Sequence, residues 1–319
     1  MIAFLFPGQG SQHIGMADDL LAKDSVFRDW LGLAASQVGC DLAQIVRRGP
    51  ESLLNQTQVL QPLMVCVSLG YHRHLREAGI HPQLVAGHSL GELPALAAAG
   101  LLTPEEAIHL AARRGAAMQA AAAVTEGGMT AVTTDNPEAV LELVNGLPGA
   151  EISLANDNSP TQIVLSGERE ALEAAVESII LARLGTCRRL AVSGAWHNPR
   201  MEPARAEFES AAKAASFRPP AVPWISNVSA RVEPDPQVIR ERLVQCVAAP
   251  VRWRDVMSTC QRLGVTAFLE IGPGRVLCGL ARANGFGAET TCLPVNNLRG
   301  VQTAARNVGA GGGASSGGG

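Results

Sequence analysis

The chain has 319 residues, of which 47% are hydrophobic and 17% are charged, and its formal net charge is -3. This composition supports one large domain or two of ordinary size, and it predicts neither a nucleic-acid surface nor an electrostatic membrane anchor. The seven cysteines are odd in number and show no zinc-ligand spacing, so we expect reduced thiols, no bound metal or cofactor, and a cytoplasmic protein.

The N-terminal part of the chain follows an α/β pattern. Residues 2–6 are apolar and predict a strand, but this run is too short for a membrane span and lacks the preceding basic residues of a signal peptide. Residues 18–80 have mostly helical spacing. Residues 84–87 predict a second buried strand, and residues 90–99 predict an Ala-rich helix directly after it. We therefore expect a parallel sheet covered by helices.

The pattern changes after residues 126–128. Strands and helices are predicted in the order β-α-β-β-α-β, over residues 129–133, 137–145, 151–155, 162–166, 168–182 and 187–192. This order is that of a ferredoxin-like unit. Further large-domain elements are predicted as a helix, a strand, a helix and a strand, over residues 202–215, 223–226, 236–246 and 267–271.

These patterns predict an α/β fold with two parts. A large α/β-hydrolase-like domain with a parallel sheet is expected over residues 1–126 and 196–307. A small ferredoxin-like subdomain is expected as an insertion over residues 127–195. The Gly-rich residues 308–319 have no capacity to pack and predict a disordered tail.

Ser89 is the first candidate for chemistry. The sequence Gly87-His88-Ser89-Leu90-Gly91 follows an apolar strand and precedes a helix, which is the pattern of a nucleophile elbow. Such a turn exposes the serine hydroxyl, and small flanking residues let the backbone pass without clashes. We therefore expect Ser89 to act as a nucleophile with a histidine as its base.

Among the seven histidines, His197 has the most distinctive position. It follows residues 192–196, where the predicted insertion rejoins the large domain, so loops from both parts could form a cleft around it. His88 adjoins the serine, but neighbouring side chains diverge at an elbow, and packing beneath the turn is the expectation. His72 and His74 are expected on a surface helix.

Eight short segments, taken in order, resemble a known enzyme family. They are Phe6-Pro7-Gly8-Gln9-Gly10-Ser11-Gln12, Gly87-His88-Ser89-Leu90-Gly91-Glu92, Arg114-Gly115, Gly128-Met129, Val192-Ser193-Gly194-Ala195-Trp196-His197, Ser226-Asn227-Val228, Pro250-Val251-Arg252-Trp253 and Glu270-Ile271-Gly272-Pro273-Gly274. Over residues 1–300 the chain resembles the malonyl-CoA:acyl-carrier-protein transacylases. This family resemblance extends to the acyltransferase domains of polyketide synthases and to the epsilon subunit of malonate decarboxylase.

The resemblance implies a ping-pong transfer of a malonyl group from malonyl-CoA to the phosphopantetheine thiol of an acyl carrier protein. It implies Ser89 as nucleophile and His197 as base, with the backbone amides of Gln9 and Leu90 forming the oxyanion hole. Arg114 would bind the malonyl carboxylate, because a guanidinium can meet both oxygens of a carboxylate at once. Neighbouring Arg113 points about 100° away on a helix, so only one of the two can face the serine.

Further site residues follow from the resemblance. Trp196 stands where acyltransferases carry a residue that tunes acyl size, and its bulk favours malonyl over methylmalonyl. Gln61, Asn227 and Gln245 are additional candidates for substrate binding. The family often has a glutamine four residues before the Pro-Val pair, where its carbonyl orients the histidine. Cys246 occupies that position here, which leaves open the carbonyl that serves His197.

The sequence alone also allows other functions. A serine hydrolase such as a thioesterase shares the elbow but normally adds an acid, for which Asp157 lies between serine and histidine. A non-catalytic subunit of a synthase is a third reading. Within the transfer reading, fatty acid synthesis, polyketide synthesis and malonate decarboxylation are alternative pathways.

The expected partners are an acyl carrier protein and a coenzyme A thioester, with the chain a monomer unless it joins a multi-subunit complex. Carrier proteins are acidic, so three arginines near the predicted cleft are candidates for docking: Arg188, Arg189 and Arg200.

Overall fold

The computed structural model describes residues 1–147 and 151–308. Its strands are β1 Ile2–Phe6, β2 Leu84–Gly87, β3 Gly128–Thr133, β4 Ile152–Ser159, β5 Gln162–Gly167, β6 Thr186–Arg189, β7 Trp224–Ile225, β8 Ala267–Ile271 and β9 Thr291–Val295. Its helices are α1 Asp18–Lys23, α2 Ser25–Val38, α3 Leu42–Arg48, α4 Glu51–Leu54, α5 Thr57–Glu77, α6 Glu92–Ala98, α7 Pro104–Val124, α8 Pro137–Asn145, α9 Arg169–Leu181, α10 Glu202–Ala214, α11 Pro236–Gln245, α12 Trp253–Arg262, α13 Val276–Ala283 and α14 Leu298–Val308.

The larger sheet has five parallel strands in the order β7-β2-β1-β8-β9. Both faces of its central strand are buried: Phe4 and Phe6 belong to one core cluster, and Ala3 and Leu5 belong to another. Because strand residues alternate between faces, helices must cover both sides of this sheet. The chain moves from β1 to β2 on one side and later to β8 on the other, so a crevice is expected at the carboxyl end of β1.

The smaller sheet is antiparallel, with strand order β4-β5-β3-β6. One of its faces packs on α8 and α9 through Val132, Val140, Leu165 and Ile179. Its other face contributes to the core cluster of the large sheet. The predicted α/β class, with a parallel sheet and a small ferredoxin-like sheet, is confirmed.

The boundaries of the two predicted domains stay a prediction, although β3 to β6 all lie within residues 128–189. The small sheet is also tied to the large part by main-chain hydrogen bonds between the segments at Asn156 and Val251. Of the predicted tail, Val308 ends α14 and residues 309–319 lie outside the described residues. No helix among those described combines the length and apolar character needed to cross a bilayer.

The position of His72 corrects the sequence analysis. The expected surface helix is α5, but most of its residues are buried between the sheet and other helices. The His72 ring packs edge-on against Phe4 and Phe6, with centroids 6.0 and 6.2 Å apart. Burial lowers the pKa of His72 to about 4, so this histidine is a neutral core residue.

Candidate active site

The turn after β2 is a strained elbow that presents Ser89. This residue has φ of 52°, a left-handed conformation that non-glycine residues adopt at a cost. Gly87 and Gly91 make the turn possible, since a Cβ on Gly87 would collide with the Gly91 backbone and one on Gly91 would collide with Phe6. The Gly-x-Ser-x-Gly pattern is therefore required by close backbone contacts on both sides of the serine.

Ser89 and His197 are hydrogen-bonded, with 2.7 Å between Ser89 Oγ and His197 Nε2. On the far side of the ring, Nδ1 lies 2.7 Å from the carbonyl oxygen of Cys246 and 3.1 Å from that of Ala249. Because carbonyls only accept, the ring proton resides on Nδ1, and Nε2 is free to accept the serine proton. Burial, and secondarily Arg114, lower the pKa of His197 to about 3, which keeps the imidazole neutral.

Arg114 is buried at 1% exposure on α7 and reaches the serine. Its Nη2 donates to Ser89 Oγ at 3.2 Å, and its Nη1 donates to Gln61 Oε1 at 3.0 Å. Arg113 is exposed and pairs with Glu207 at 3.4 Å. Of the two adjacent arginines, Arg114 is therefore the one that faces the site.

Two backbone amides are the predicted donors of an oxyanion hole. Gln9 is in the loop after β1, and Leu90 is at the start of the helical segment after the elbow, where the helix dipole favours negative charge. In the described part of the chain neither amide has a hydrogen-bond acceptor. The Ser89 amide, by contrast, donates to Asn227 Oδ1 at 2.7 Å. Gln9 and Leu90 are thus the amides available to an oxyanion.

A cavity of about 240 Å³ opens above the serine. Its walls come from the loop after β1, from the inner face of the small sheet and from α13; among its lining residues are Gln9, Ser89, Met129, Val164, Trp196, His197 and Leu277. The dyad therefore lies at the carboxyl end of the parallel strands, where the two sheets meet.

Comparison with known proteins agrees with this geometry. Residues 3–286 match the family described as the acyl transferase domain. The chain belongs to this acyltransferase family. The malonyl CoA-acyl carrier protein transacylase of Bacillus subtilis (strain 168) is 37% identical over 286 residues, which cover 88% of this chain and 89% of that protein.

Solved structures extend the comparison to the fold of the acyltransferase. The malonyl CoA-acyl carrier protein transacylase of Coxiella burnetii superimposes with a TM-score of 0.90 at 34% identity, covering 96% of both chains. A malonyl-transacylase in complex with its type II polyketide acyl-carrier protein has a TM-score of 0.89 at 36% identity. The match covers 96% of this acyltransferase and 99% of that chain. The predicted family is confirmed.

Three of the residues predicted to bind substrate make contacts with other side chains or with the backbone: Asn227, Gln61 and Gln245. Asn227 is fully buried, and its side chain donates to Gly87 O at 2.6 Å and accepts from the Ser89 amide, so it supports the elbow. Gln61 connects Arg114 to Gln9, because its Nε2 donates to Gln9 Oε1 at 3.1 Å. Both side chains thus hold other residues of the site in place.

The position of Gln245 corrects its prediction as a substrate-binding residue. Its side chain is exposed and accepts from Arg242 Nη1 at 2.8 Å, on a surface separate from the cavity. The next residue, Cys246, is buried and supplies the carbonyl that orients His197. The α11 helix ends here, and adjacent residues at its end point about 100° apart, which separates the two side chains.

The cavity also contains residues that sequence reasoning missed. Asn156, Asn158 and Gln162 line it from β4 and β5. The Asn158 side-chain oxygen lies 3.0 Å from Nε2 of His88. His88 is half-buried and itself lines the cavity, which corrects the expectation that it only packs beneath the turn. The repeated asparagines of the Asn156-Asp157-Asn158 segment were the available signal, but they resemble a loop.

Of the arginines proposed for docking, Arg188 is the one that lines the cavity, and its side chain is exposed. Arg189 pairs with Glu173 at 3.8 Å, and Arg200 pairs with Glu151 at 2.9 Å. Within the described ranges, no group of three or more histidine, cysteine or acidic residues is arranged to hold a metal ion.

Proposed function

We propose that this acyltransferase moves a malonyl group from malonyl-CoA to the phosphopantetheine thiol of an acyl carrier protein through a malonyl-Ser89 intermediate. His197 Nε2 accepts the hydroxyl proton while Ser89 Oγ attacks the thioester carbonyl. The amides of Gln9 and Leu90 stabilise the resulting oxyanion. His197 then gives its proton to the departing coenzyme A sulfur, and the same steps run in reverse with the carrier thiol.

The surroundings of Arg114 support an acyl group that bears a second carboxylate. Among the described residues, this buried guanidinium donates to Gln61 and Ser89 and not to a carboxylate, and its Nη2 is 3.2 Å from Ser89 Oγ. An unpaired buried charge is costly, whereas a bound carboxylate would both neutralise it and fix the acyl group. A malonyl group attached at Ser89 supplies that carboxylate.

The contacts of His197 favour transfer over a hydrolase triad. Its Nδ1 donates to main-chain carbonyls, and no carboxylate occupies the position of the triad acid within residues 1–147 and 151–308. Asp157, the acid considered from sequence, instead accepts from Arg254 Nε at 3.0 Å. In the proposed mechanism Ser89 and His197 act as a dyad, with main-chain carbonyls in the place of the triad acid.

Trp196 supports a preference for a short, unbranched acyl group. Its indole is 4% exposed and forms part of the cavity wall beside Ser89. Its bulk leaves little space for an α-methyl branch, so malonyl is favoured over methylmalonyl.

The carrier protein is proposed to reach the cavity past Arg188, whose exposed guanidinium suits an acidic partner. The related structure with a polyketide acyl-carrier protein supports a carrier of this kind. Fatty acid and polyketide synthesis both use such a carrier. We propose that the protein is a monomer without a bound cofactor. We also propose that it works in the cytoplasm, where its seven free thiols stay reduced.

The proposal is tested by a two-step transfer. The chain is first acylated with malonyl-CoA and freed from coenzyme A, then mixed with the phosphopantetheinylated carrier protein. We expect the malonyl mass to leave the enzyme and appear on the carrier. The apo-carrier, which lacks the thiol, is the matched control and should gain nothing. Release of free malonate with no carrier adduct would instead indicate a hydrolase.

A further inference from the structure

Glu92 is a buried acid beneath the elbow with no role in the steps above. It is the first residue of α6, three positions after Ser89, and it has no exposed surface. Its Oε1 accepts from the backbone amide of Asn227 at 2.8 Å, while its Oε2 has no nitrogen or oxygen partner among the described residues. Burial raises the pKa of Glu92 to about 8, so its carboxyl is mainly protonated at neutral pH.

Asn227, held by Glu92, bridges the two sides of the elbow. Its side chain accepts from the Ser89 amide at 2.7 Å and donates to the Gly87 carbonyl at 2.6 Å. These contacts stabilise the left-handed conformation at Ser89, which has an intrinsic energetic cost. They also occupy the Ser89 amide, which leaves the amide of Leu90 available for an oxyanion.

The other neighbour of Glu92 is the segment that orients the base. Cys246 is buried there, and burial, followed by the Glu92 carboxyl, raises the pKa of its thiol. The carbonyl of the same residue accepts from His197 Nδ1 at 2.7 Å. Glu92 thus holds the residue that supports the nucleophile's turn and lies near the segment that orients the base.

We propose that Glu92 is a positioning residue that aligns Ser89 with His197 by holding Asn227, which supports both sides of the elbow. This role rests on the proposed function, because it concerns the same acylation step.

Glu270 provides a matched control. It is also a fully buried glutamate, its Oε2 accepts a backbone amide, that of Cys278, at 2.8 Å, and its Oε1 has no nitrogen or oxygen partner in the described ranges. Burial raises its pKa as well. Glu270 contacts neither Ser89 nor His197, so its loss tests the cost of removing a buried glutamate without disturbing their alignment.

The test measures single-turnover acylation by malonyl-CoA, followed by intact mass, in the wild type, Glu92→Ala, Glu92→Gln and Glu270→Ala. We expect Glu92→Ala to slow acylation on the order of 100-fold with little change in KM, since displacement by about 1 Å has this effect. Glu92→Gln keeps the acceptor for Asn227 and should stay within about threefold of the wild type. Glu270→Ala should lower the Tm, but the molecules of this variant that are folded should be acylated at the wild-type rate.

Asn227→Ala gives an independent measurement if Glu92→Ala does not fold. It should slow acylation by a similar factor, and where both single variants fold, the double variant should be no slower than either, because both act through one contact. Wild-type acylation rates in both alanine variants would overturn the proposal, as would a Glu92→Gln enzyme as slow as Glu92→Ala. A wild type that malonyl-CoA fails to acylate would instead overturn the proposed function.

Discussion

Replacing Arg114 tests how the enzyme selects its acyl group. The buried guanidinium lies 3.2 Å from Ser89 Oγ and 3.0 Å from Gln61 Oε1, in a position to bind the distal carboxylate of a malonyl group. In Arg114→Ala this carboxylate would enter the site without a partner. Acetyl-CoA carries no such carboxylate, so its reaction should be much less affected.

The magnitude follows from the burial of the pair. Removing one partner of a buried ion pair costs about 3 to 5 kcal/mol. At about 1.4 kcal/mol per tenfold change, kcat/KM for malonyl-CoA should fall roughly 100- to 4,000-fold. The value for acetyl-CoA should change by less than about tenfold. Arg114→Lys retains a charge but lacks the planar fork, so it should be intermediate.

The assay compares acylation rates with malonyl-CoA and acetyl-CoA by intact mass spectrometry. Arg113→Ala is the control, because Arg113 is exposed and contacts Glu207 outside the site. Both substrates should react with this variant at wild-type rates. An equal loss of malonyl and acetyl transfer in Arg114→Ala would refute the reasoning and assign Arg114 a purely structural role.

Three further predictions concern the base, the cavity wall and the carrier surface. The low pKa of His197, about 3, keeps its imidazole neutral, so the acylation rate should hold from pH 8 to pH 5; a rate that halves near pH 6.5 would contradict this. Trp196→Ala should raise the methylmalonyl-to-malonyl ratio of kcat/KM roughly tenfold or more, while Trp196→Phe should preserve it; an unchanged ratio in both means that the indole does not limit acyl size. Arg188→Glu should raise KM for the carrier protein and leave acylation by malonyl-CoA unchanged. Arg189 is paired with Glu173 in the wild type, so Arg189→Glu should change KM for the carrier less. Equal effects of the two substitutions would contradict a docking role for Arg188.

The local sequence pattern was sufficient to predict structural features that depend on a single element of the fold. Residues 267–271 are apolar apart from Glu270 and are followed by Gly272, and the structure places β8 over the same residues. The Gly-x-Ser-x-Gly elbow was equally local, since its glycines are required by contacts within the turn itself. In contrast, β9 contains Pro294, which argues against a strand unless the strand lies at an edge, where the structure puts it.

Residues whose role depends on distant pairing could not be assigned from the sequence. Asn227 reaches Gly87 because β7 pairs with β2 through Val85 and Trp224, a contact between segments more than 100 residues apart. The Asn156 segment resembles a turn, yet β4 continues through it with two irregularities in register. In these cases the residue types suggested polar contacts, but only the tertiary structure identified the partner atoms.

The most direct test of the account is the site of acylation. The chain is mixed with malonyl-CoA, digested and mapped by tandem mass spectrometry, beside a Ser89→Ala variant treated in the same way. We expect one malonyl group per chain, attached to Ser89, and no adduct in the variant. A malonyl group on another residue, or one that persists in Ser89→Ala, would contradict the central claim.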